Sequence, residues 1–398
     1  MTDLTLRLLR DGYRAIERDR AARGGATTYE SRMLGRRAVV LGGASGAQVF
    51  YDDAVVRRKA AIPPPLAWLL FGRGAVHGLD DTDHLARKEM FLGVLGPEQV
   101  ADCARAAGAE LARASAVWRG RDVDLHDELV VAYGTAVLRW VGVDLATLRL
   151  RDLSREYARI VNGFGFAGPA YVRAWVARRR TDRWARELVA DVRQGRSTAP
   201  DGSVLSVIAA SDLDDRLAGV ELGNVVRPTI AVSWLGVHAA RALAEVDDDT
   251  RRRLAGDDAD AEALRWSFAQ EVRRTTPFVP ALTGLVRRRS SHAGVALPPR
   301  HHVVLDVCGI NLDPERYPDP LAFRADRFLH DAPGRYDLVP QGGGEPTGHR
   351  CPGESLTLQL LVRTTEVLAG LRMDVPTGGP DLGRIPTLPD AQTVSVRH

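Results

Sequence analysis

The sequence predicts a protein that is mainly α-helical with a minor β-sheet, folded as one domain over residues 1–398. Three observations predict this class. Long stretches with helical periodicity fill the middle of the chain, and short apolar runs typical of strands lie towards its two ends. No repeat, low-complexity segment or Gly/Ser-rich linker divides the sequence. With 398 residues, 45% of them hydrophobic, the chain is long enough to bury a large core.

The predicted elements follow in chain order. Two apolar runs at 37–41 and 47–51, separated by a glycine-rich segment, predict a β-hairpin. Helical patterns then predict five long helices, namely Pro97 to about Trp118, 125–141, 170–194, 214–245 and 259–276. After Pro277 the sequence predicts short strands between Pro- and Gly-rich turns, including one at 301–308.

Charge and cysteine content exclude several classes of protein. The 54 basic and 51 acidic residues nearly balance, which gives no basis for expecting nucleic acid or an anionic membrane as partner. The arginine-rich stretch 173–186 is typical of a solvated helix face. The N-terminal ten residues mix charge with leucine and predict neither a signal peptide nor a membrane anchor. Cys103, Cys308 and Cys351 are too far apart for a CxxC pair, so we expect a cytoplasmic protein.

The most informative segment is a glycine-rich loop in front of an apolar helix. Residues 341–354 read QGGGEPTGHRCPGE. Glycines let the backbone approach a flat ligand, and the start of the helix favours a thiolate at Cys351. Cys351 is therefore a candidate ligand of a haem iron, with Arg350 able to pair with a haem propionate and Gly353 allowing close approach to the porphyrin. The alternative is that Cys351 is a small buried hydrophobic residue.

Two further segments stand in a fixed order around this loop. Glu271 and Arg274 are one helical turn apart in the sequence QEVRR, and on their own they would be a solvated ion pair. Downstream, DPERYPDP at 313–320 and FRADRF at 323–328 supply an arginine-bearing meander. Together, and in this order, these segments resemble the cytochrome P-450 superfamily from the predicted hairpin to the C-terminal region.

The resemblance implies the cytochrome P-450 fold and haem b, iron protoporphyrin IX, as cofactor, with Cys351 as the iron ligand. It implies that the Glu-x-x-Arg pair is locked to an arginine of the meander, either Arg327 or Arg324. It also implies that His84 and Arg87, at the start of a helix, bind the haem propionates. A solvated helix start is the alternative for these two residues.

The long helix at 214–245 departs from the pattern of monooxygenases in this superfamily. They carry an acid followed by an alcohol to relay protons, and here Arg227 and Pro228 stand at those positions. Proline inside a helix costs about 3 kcal/mol or more, which suggests a purposeful kink. Arg227 shares its helix face with apolar residues and therefore needs an anionic partner. Either an acidic side chain of the protein or a substrate carboxylate beside the haem could meet this need.

With these residues the resemblance narrows to the fatty-acid peroxygenase branch, the hydrogen-peroxide-dependent fatty acid hydroxylases and decarboxylases. The matching segments are FGRGAVHGLD at 71–80, Arg227-Pro228, RTTPFVP at 274–280, the QGGG insertion at 341–344 and NGFGFAGP at 162–169, the last resembling a substrate-channel segment. By this resemblance Phe71 and His77 lie near the distal haem face, and Phe71 and Phe278 line the substrate site. A histidine beside glycines is otherwise typical of an incidental turn residue.

The resemblance implies hydrogen peroxide as oxidant, a fatty acid as substrate and no obligatory redox partner. The carboxylate bound by Arg227 would replace the missing acid–base group, and hydroxylation at Cα or Cβ would be accompanied by decarboxylation to a terminal alkene. His77, titrating near neutral pH, would favour the alkene. Three other functions remain open: a redox-partner-dependent monooxygenase, a haem-dependent isomerase of lipid peroxides, and a noncatalytic haem sensor or carrier.

Overall fold

The computed structural model describes residues 3–165, 168–376, 378–389 and 391–397. Within these ranges the helices are α1 (Leu4–Asp11), α2 (Ala15–Ala21), α3 (Gly43–Phe50), α4 (Pro64–Leu70), α5 (Asp81–Val94), α6 (Pro97–Ser115), α7 (Leu125–Trp140), α8 (Thr147–Gly163), α9 (Pro169–Arg193), α10 (Val204–Ala209), α11 (Asp215–Glu245), α12 (Asp248–Leu254), α13 (Ala259–Thr275), α14 (Val307–Asn311) and α15 (Glu354–Ala369). Short 3-10 helices lie at Gly12–Arg14 and Val76–Gly78.

The strands in the same ranges are β1 (Tyr29–Met33), β2 (Arg36–Leu41), β3 (Val56–Arg57), β4 (Arg121–Asp124), β5 (Ala281–Val286), β6 (Ser290–His292), β7 (Val295–Leu297), β8 (His302–Asp306), β9 (Met373–Asp374) and β10 (Thr393–Val396). They form sheets of five, three and two strands, in the orders β1-β2-β8-β5-β3, β4-β10-β9 and β6-β7. The predicted fold class, mainly α with a minor β-sheet, is confirmed.

The five long predicted helices are present as α6, α7, α9, α11 and α13. Their starts follow local signals in the sequence. Pro97 and Pro169 are the first residues of α6 and α9, where the missing N–H group has no helical partner to lose. The side chain of Asp214 accepts a hydrogen bond from the N–H group of Leu217 at 2.7 Å and thereby caps α11. Helix α8 is a long helix that the sequence analysis did not pick out.

The predicted hairpin of 37–41 with 47–51 is wrong in its second half. Residues 43–50 form α3, whose buried residues Ala47 and Phe50 are spaced as on one helix face. Strand β2 instead pairs with β1, which precedes it in sequence. The two residues between these strands, Leu34 and Gly35, have φ of 54° and 72°, the backbone that two-residue hairpin turns require.

The strand predicted at 301–308 is β8, the centre of the five-stranded sheet. It pairs in parallel with β2 and antiparallel with β5, and all its residues are buried. Because β8 is an inner strand with all its residues buried, its sequence is a nearly continuous apolar run. The strand ends at Asp306, two residues earlier than predicted, because the Asp306 side chain accepts from the N–H group of Gly309 at 2.8 Å and starts α14.

Helix α11 lies at the centre of the helical part and packs against α7, α8, α9, α13 and α15. Most of its residues between Ala218 and Leu243 are buried, so the apolar stretch at 230–244 belongs to a core helix. Among the described residues, no helix combines the length and apolar character needed to cross a membrane. Helix α11 carries Arg227, which is buried, and Pro228, which is exposed.

Candidate active site

Cys351 lies at the end of the loop that leads into α15, with Gly353 as the residue before the helix. The N–H group of Cys351 donates to the carbonyl oxygen of Gln341 at 3.1 Å, which closes the loop. The Gln341 side chain lies beside the sulfur, with Nε2 at 4.0 Å from Sγ, and its Oε1 accepts from Nε of Arg273 at 2.9 Å. Arg273, which the sequence analysis missed, is fully buried and ties α13 to the loop.

The environment of the Cys351 sulfur combines burial with nearby positive charge. The pKa of the Cys351 thiol is raised, chiefly by burial and also by the charge of Glu354, although a hydrogen bond from the backbone of Gly353 and the charges of Lys88 and Arg273 act in the opposite direction. The backbone at the helix start thus supplies a donor to the sulfur, as the sequence predicted, and the cations come from α5 and α13.

The residues around Cys351 fit a haem. Across the described ranges, no group of three or more His, Cys, Asp or Glu side chains could hold a metal ion. Cys351 can supply one ligand to an iron whose other ligands come from a porphyrin. A Cβ atom on Gly353 would lie 3.9 Å from the Cys351 sulfur, so the glycine keeps a side chain away from this side of the loop.

Helix α5 brings His84 and Lys88 next to the Cys351 loop. The rings of His84 and His349 are stacked with centroids 4.0 Å apart. Lys88, one turn after His84, is only 3% exposed, and its Nζ donates to the carbonyl oxygen of Gly348 at 2.9 Å and to that of Arg350. Lys88 has no carboxylate partner in the described part of the chain. A buried ammonium in this position fits a thiolate or a haem propionate, and the sequence analysis missed it.

The two arginines predicted to bind propionates are each paired with a carboxylate of the protein. Nη1 of Arg87 lies 2.6 Å from Oε1 of Glu221, and Arg350 pairs with Glu354 four residues later. A guanidinium has five N–H donors, so either arginine can hold a second anion. Their role towards the propionates stays a prediction.

Glu271 selects one of the two candidate arginines of the meander. It accepts from Nε and Nη2 of Arg274 at 2.7 and 2.8 Å, and from Nε of Arg327 at 3.0 Å. The side chain of Arg324 instead lies 3.6 Å from Asp326, and only its backbone N–H group contacts Glu271. The lock therefore uses Arg327, and the pair is buried, not solvated.

On the other side of the candidate site, Arg227 is 3% exposed and lacks an acidic partner within the described residues. Its Nη1 donates to Oδ1 of Asn224 at 2.9 Å, and its Cζ lies 5.9 Å from the ring centroid of Phe71. Burial and the charge of Arg178 lower the pKa of Arg227 to about 9. The sequence left open whether the anionic partner of Arg227 is an acidic side chain or a substrate carboxylate. Among the residues that the structure describes, no acidic side chain forms an ion pair with Arg227.

Pro228 stands inside α11, which runs through it without interruption. Pro228 is exposed, whereas the other residues in the central part of α11, from 218 to 240, are buried. Pro228 thus presents accessible surface directly next to the buried Arg227.

His77 lies between Arg227 and helix α5. Its ring stacks on that of Phe71, with centroids 4.0 Å apart and planes 15° from parallel. His77 is accessible to solvent in the structure. Desolvation, followed by the charges of Arg227 and Lys88, lowers its pKa to about 3. This direction favours a neutral imidazole near neutral pH and does not support the expectation that His77 titrates there.

Phe278 lies against the predicted channel segment. Its ring stacks on Phe164 with a centroid distance of 6.2 Å and an interplanar angle of 14°. Phe166 and Ala167 of the same segment lie outside the described residues. Phe71 and Phe278 thus each contact a predicted site element, Phe71 through His77 and Phe278 through Phe164.

Solved structures with the same fold identify the family. Cytochrome P-450SP alpha, also named CYP152B1, is 35% identical over 100% of this chain and 98% of its own, with a TM-score of 0.93. The chain belongs to the cytochrome P-450 superfamily. Within it, the chain belongs to the predicted fatty-acid peroxygenase branch, which also includes cytochrome P-450 OleT, 29% identical over 99% of this chain and 97% of its own with a TM-score of 0.92.

Curated P-450 proteins match parts of the chain. Beta-amyrin 28-monooxygenase of Barbarea vulgaris is 28% identical over 195 residues, 43% of this chain and 40% of that protein. Putative cytochrome P-450 137 of Mycobacterium tuberculosis is 24% identical over 243 residues, 55% of this chain and 50% of that protein. The matched regions thus span half or less of these relatives. No protein-family model matches the chain.

This P-450 also carries buried polar residues near Arg227 that the sequence analysis missed. Arg178 lies in the stretch interpreted as a solvated helix face, but it is buried and pairs with Asp182, Nη2 to Oδ1 at 2.6 Å. The hydroxyl of Tyr157 is buried without a hydrogen-bond partner in the described part of the chain. Glu221 and Asn224 precede Arg227 by six and three residues, and this spacing of polar residues in an apolar helix was a signal that could have found them.

Proposed function

We propose that this P-450 is a fatty-acid peroxygenase that uses hydrogen peroxide to hydroxylate fatty acids at Cα or Cβ. The observation that carries the proposal is Arg227, a buried guanidinium whose hydrogen-bond partner is the neutral amide of Asn224. A buried cation needs an anion, and a carboxylate matches the planar donors of a guanidinium. The carboxylate head of a fatty acid supplies this anion.

Charge balance around Arg227 supports an anion from outside the chain. The nearby carboxylates are already engaged, Glu221 with Arg87 and Asp182 with Arg178. Ligands of related structures support the same proposal. CYP152B1 has a structure in complex with (R)-ibuprofen, and an OleT variant has one in complex with arachidonic acid. Both ligands carry a carboxylic acid group.

A bound carboxylate also supplies the acid–base group that α11 lacks. Arg227 holds it above the accessible space beside Pro228, where it can take a proton from one oxygen of hydrogen peroxide and return a proton to the other. Haem with a thiolate ligand, here Cys351, supplies the oxidising chemistry and favours O–O cleavage. Substrate binding thus completes the active site, and no redox partner is required.

Anchoring the head of the substrate decides which carbon is oxidised. With the carboxylate fixed by Arg227, Cα and Cβ are the first carbons that reach the reacting centre. Hydroxylation converts one C–H group and one hydrogen peroxide into a C–OH group and water. Decarboxylation converts the acid and one hydrogen peroxide into a terminal alkene, carbon dioxide and two water molecules. We propose both outcomes, with neutral His77 as a hydrogen-bonding group beside Phe71.

Product analysis of the purified, haem-loaded enzyme tests this function. The enzyme receives one saturated fatty acid with and without hydrogen peroxide, and no reductase. We expect 2- and 3-hydroxy acids and terminal alkene with peroxide alone. Turnover that needs dioxygen and a reductase would identify a monooxygenase. Conversion of a lipid hydroperoxide without added oxidant would identify an isomerase, and acid binding without any turnover would identify a sensor or carrier.

A further inference from the structure

We propose that Glu221 is a positioning residue that fixes the carboxylate-binding Arg227 through Asn224; this inference rests on the proposed function. The three residues are spaced three apart along α11 and therefore follow one side of the helix. All three side chains are buried in a helix whose other central residues are mostly apolar. Polar side chains in such a place must satisfy one another.

The hydrogen bonds run in one direction along this series. Nδ2 of Asn224 donates to Oε2 of Glu221 at 2.8 Å, and Nη1 of Arg227 donates to Oδ1 of Asn224 at 2.9 Å. A carboxylate only accepts and a guanidinium only donates. The Asn224 amide can therefore satisfy both neighbours in one orientation, with its nitrogen towards Glu221 and its oxygen towards Arg227.

The other oxygen of Glu221 connects the series to the rest of the candidate site. Oε1 accepts from the backbone N–H group of Val76 at 3.0 Å and from Nη1 of Arg87 at 2.6 Å. Val76 begins the short helix that carries His77, and Arg87 belongs to α5, which contacts the Cys351 loop through His84. Glu221 thus sets the position of Arg227 relative to both the short helix Val76–Gly78 and α5.

This geometry predicts a defined effect on the reaction. The choice between Cα and Cβ depends on where the carboxylate is held, and a shift of an ångström is enough to change it. Without the Glu221 charge, the Asn224 amide is free to turn its nitrogen towards Arg227, which then loses its acceptor. Arg227 remains present but is no longer held in one orientation.

The first test is Glu221→Gln in the haem-loaded enzyme. Glutamine has the same size but presents an N–H₂ group that competes with that of Asn224. We expect unchanged haem content and carbon monoxide spectrum, an approximately tenfold weaker binding of fatty acid measured by the haem absorbance change without peroxide, and a similar rise in KM. The ratio of 2- to 3-hydroxy acid from one saturated fatty acid should change. Glu245→Gln, the same substitution at the exposed end of α11, should match wild type.

A double-mutant cycle shows whether Glu221 acts through Asn224. Asn224→Ala should reproduce the weaker binding and the altered ratio, and it serves as the test if Glu221→Gln does not fold. The double variant Glu221→Gln/Asn224→Ala should be no worse than Asn224→Ala alone. Additive losses, or a wild-type product ratio in both single variants, would overturn the inference.

Comparison of these variants with Arg227→Ala in the same assays separates this inference from the proposed function. If Arg227→Ala loses fatty-acid turnover while the Glu221 and Asn224 variants keep the wild-type KM and product ratio, only the positioning role is wrong. If Arg227→Ala itself turns over fatty acid at the wild-type rate, the proposed function is wrong, and the positioning role falls with it.

Discussion

Nε of Arg327 donates to Oε1 of Glu271 at 3.0 Å, across the interface between α13 and the meander that precedes the Cys351 loop. The same carboxylate accepts two hydrogen bonds from Arg274, and the three charged side chains are buried. One carboxylate thus pairs with two guanidinium groups. The contact fixes the chain segment that leads to Cys351 against the helical part of the molecule.

Removing Glu271 should therefore destabilise the protein strongly. Glu271→Ala leaves two buried guanidinium groups without a carboxylate, and we expect a loss of about 3–5 kcal/mol in the free energy of unfolding, together with a low haem content. Urea unfolding and the haem absorbance measure the two effects. Glu262→Ala on the same helix removes an exposed carboxylate and should change stability by less than about 1 kcal/mol. Equal losses in the two variants would contradict the role of the network.

This network shows how far local sequence reasoning reaches. The pairing of Glu271 with Arg274 follows from a spacing of three residues on one helix, so the sequence predicts it. The choice between Arg327 and Arg324 does not, because both stand in one irregular segment and only the fold decides which side chain turns inward. For the same reason the sequence predicted that Arg227 needs an anionic partner but could not say which one, and it missed the contact of Glu221 with Arg87, which lies 134 residues earlier.

Prediction of the fold from the sequence was least reliable for short apolar runs. The run at 47–51 is compatible with a strand or with one turn of a buried helix, and the structure has helix α3 there. The true partner of β2 alternates buried and exposed residues, as Tyr29, Ser31 and Met33 are buried while Glu30 and Arg32 are exposed. The long helices were predicted because their periodicity extends over several turns. Their packing around α11 is what assembles the site.

Cys351→Ala should abolish thiolate ligation of the iron. Reduced wild-type protein with carbon monoxide should show the absorption of a thiolate-ligated haem, since Cys351 combines the closed loop, the following helix and the nearby cations Lys88 and Arg273. The alanine variant should lack it. Cys103→Ala, in which a buried cysteine of α6 is removed, should keep the spectrum. If Cys351→Ala retained it, another residue would be the ligand.

Arg227→Ala should bind haem but lose most fatty-acid turnover. Each charge-assisted hydrogen bond to the carboxylate is worth about 1.5–3 kcal/mol, so kcat/KM should fall by at least about tenfold. A short carboxylic acid should seat on Arg227 in the wild type and allow peroxide-driven oxidation of a neutral co-substrate, and this effect should vanish in the variant. Arg241→Ala, further along α11, serves as control. Wild-type turnover by Arg227→Ala would rule out the anchor.

His238 should make the protein less stable in acid. Burial lowers its pKa to about 4, and its Nε2 lies 3.1 Å from the carbonyl oxygen of Thr387. Between pH 6.5 and 4 the unfolded chain therefore binds a proton that the folded protein does not, so stability falls as the pH falls. His238→Gln should reduce the loss between pH 8 and pH 5, measured by urea unfolding, by about 1–2 kcal/mol. His330→Gln, at an exposed site, should leave the loss unchanged.

His77→Gln should shift the products towards hydroxy acids. The resemblance to the fatty-acid peroxygenase branch implies that His77 favours alkene formation, and its ring stacks on that of Phe71. Because the pKa of His77 is lowered to about 3, the imidazole stays neutral at assay pH and acts as a hydrogen-bonding group, not as a proton store. The alkene fraction from one saturated fatty acid at fixed peroxide should therefore fall in the variant, whereas the contribution of His77 should stay constant from pH 6 to pH 8. An unchanged product ratio would remove His77 from the mechanism and leave the cases for Cys351 and Arg227 intact. A pH dependence centred near 6.5 that disappears in the variant would show instead that His77 gains and loses a proton during turnover.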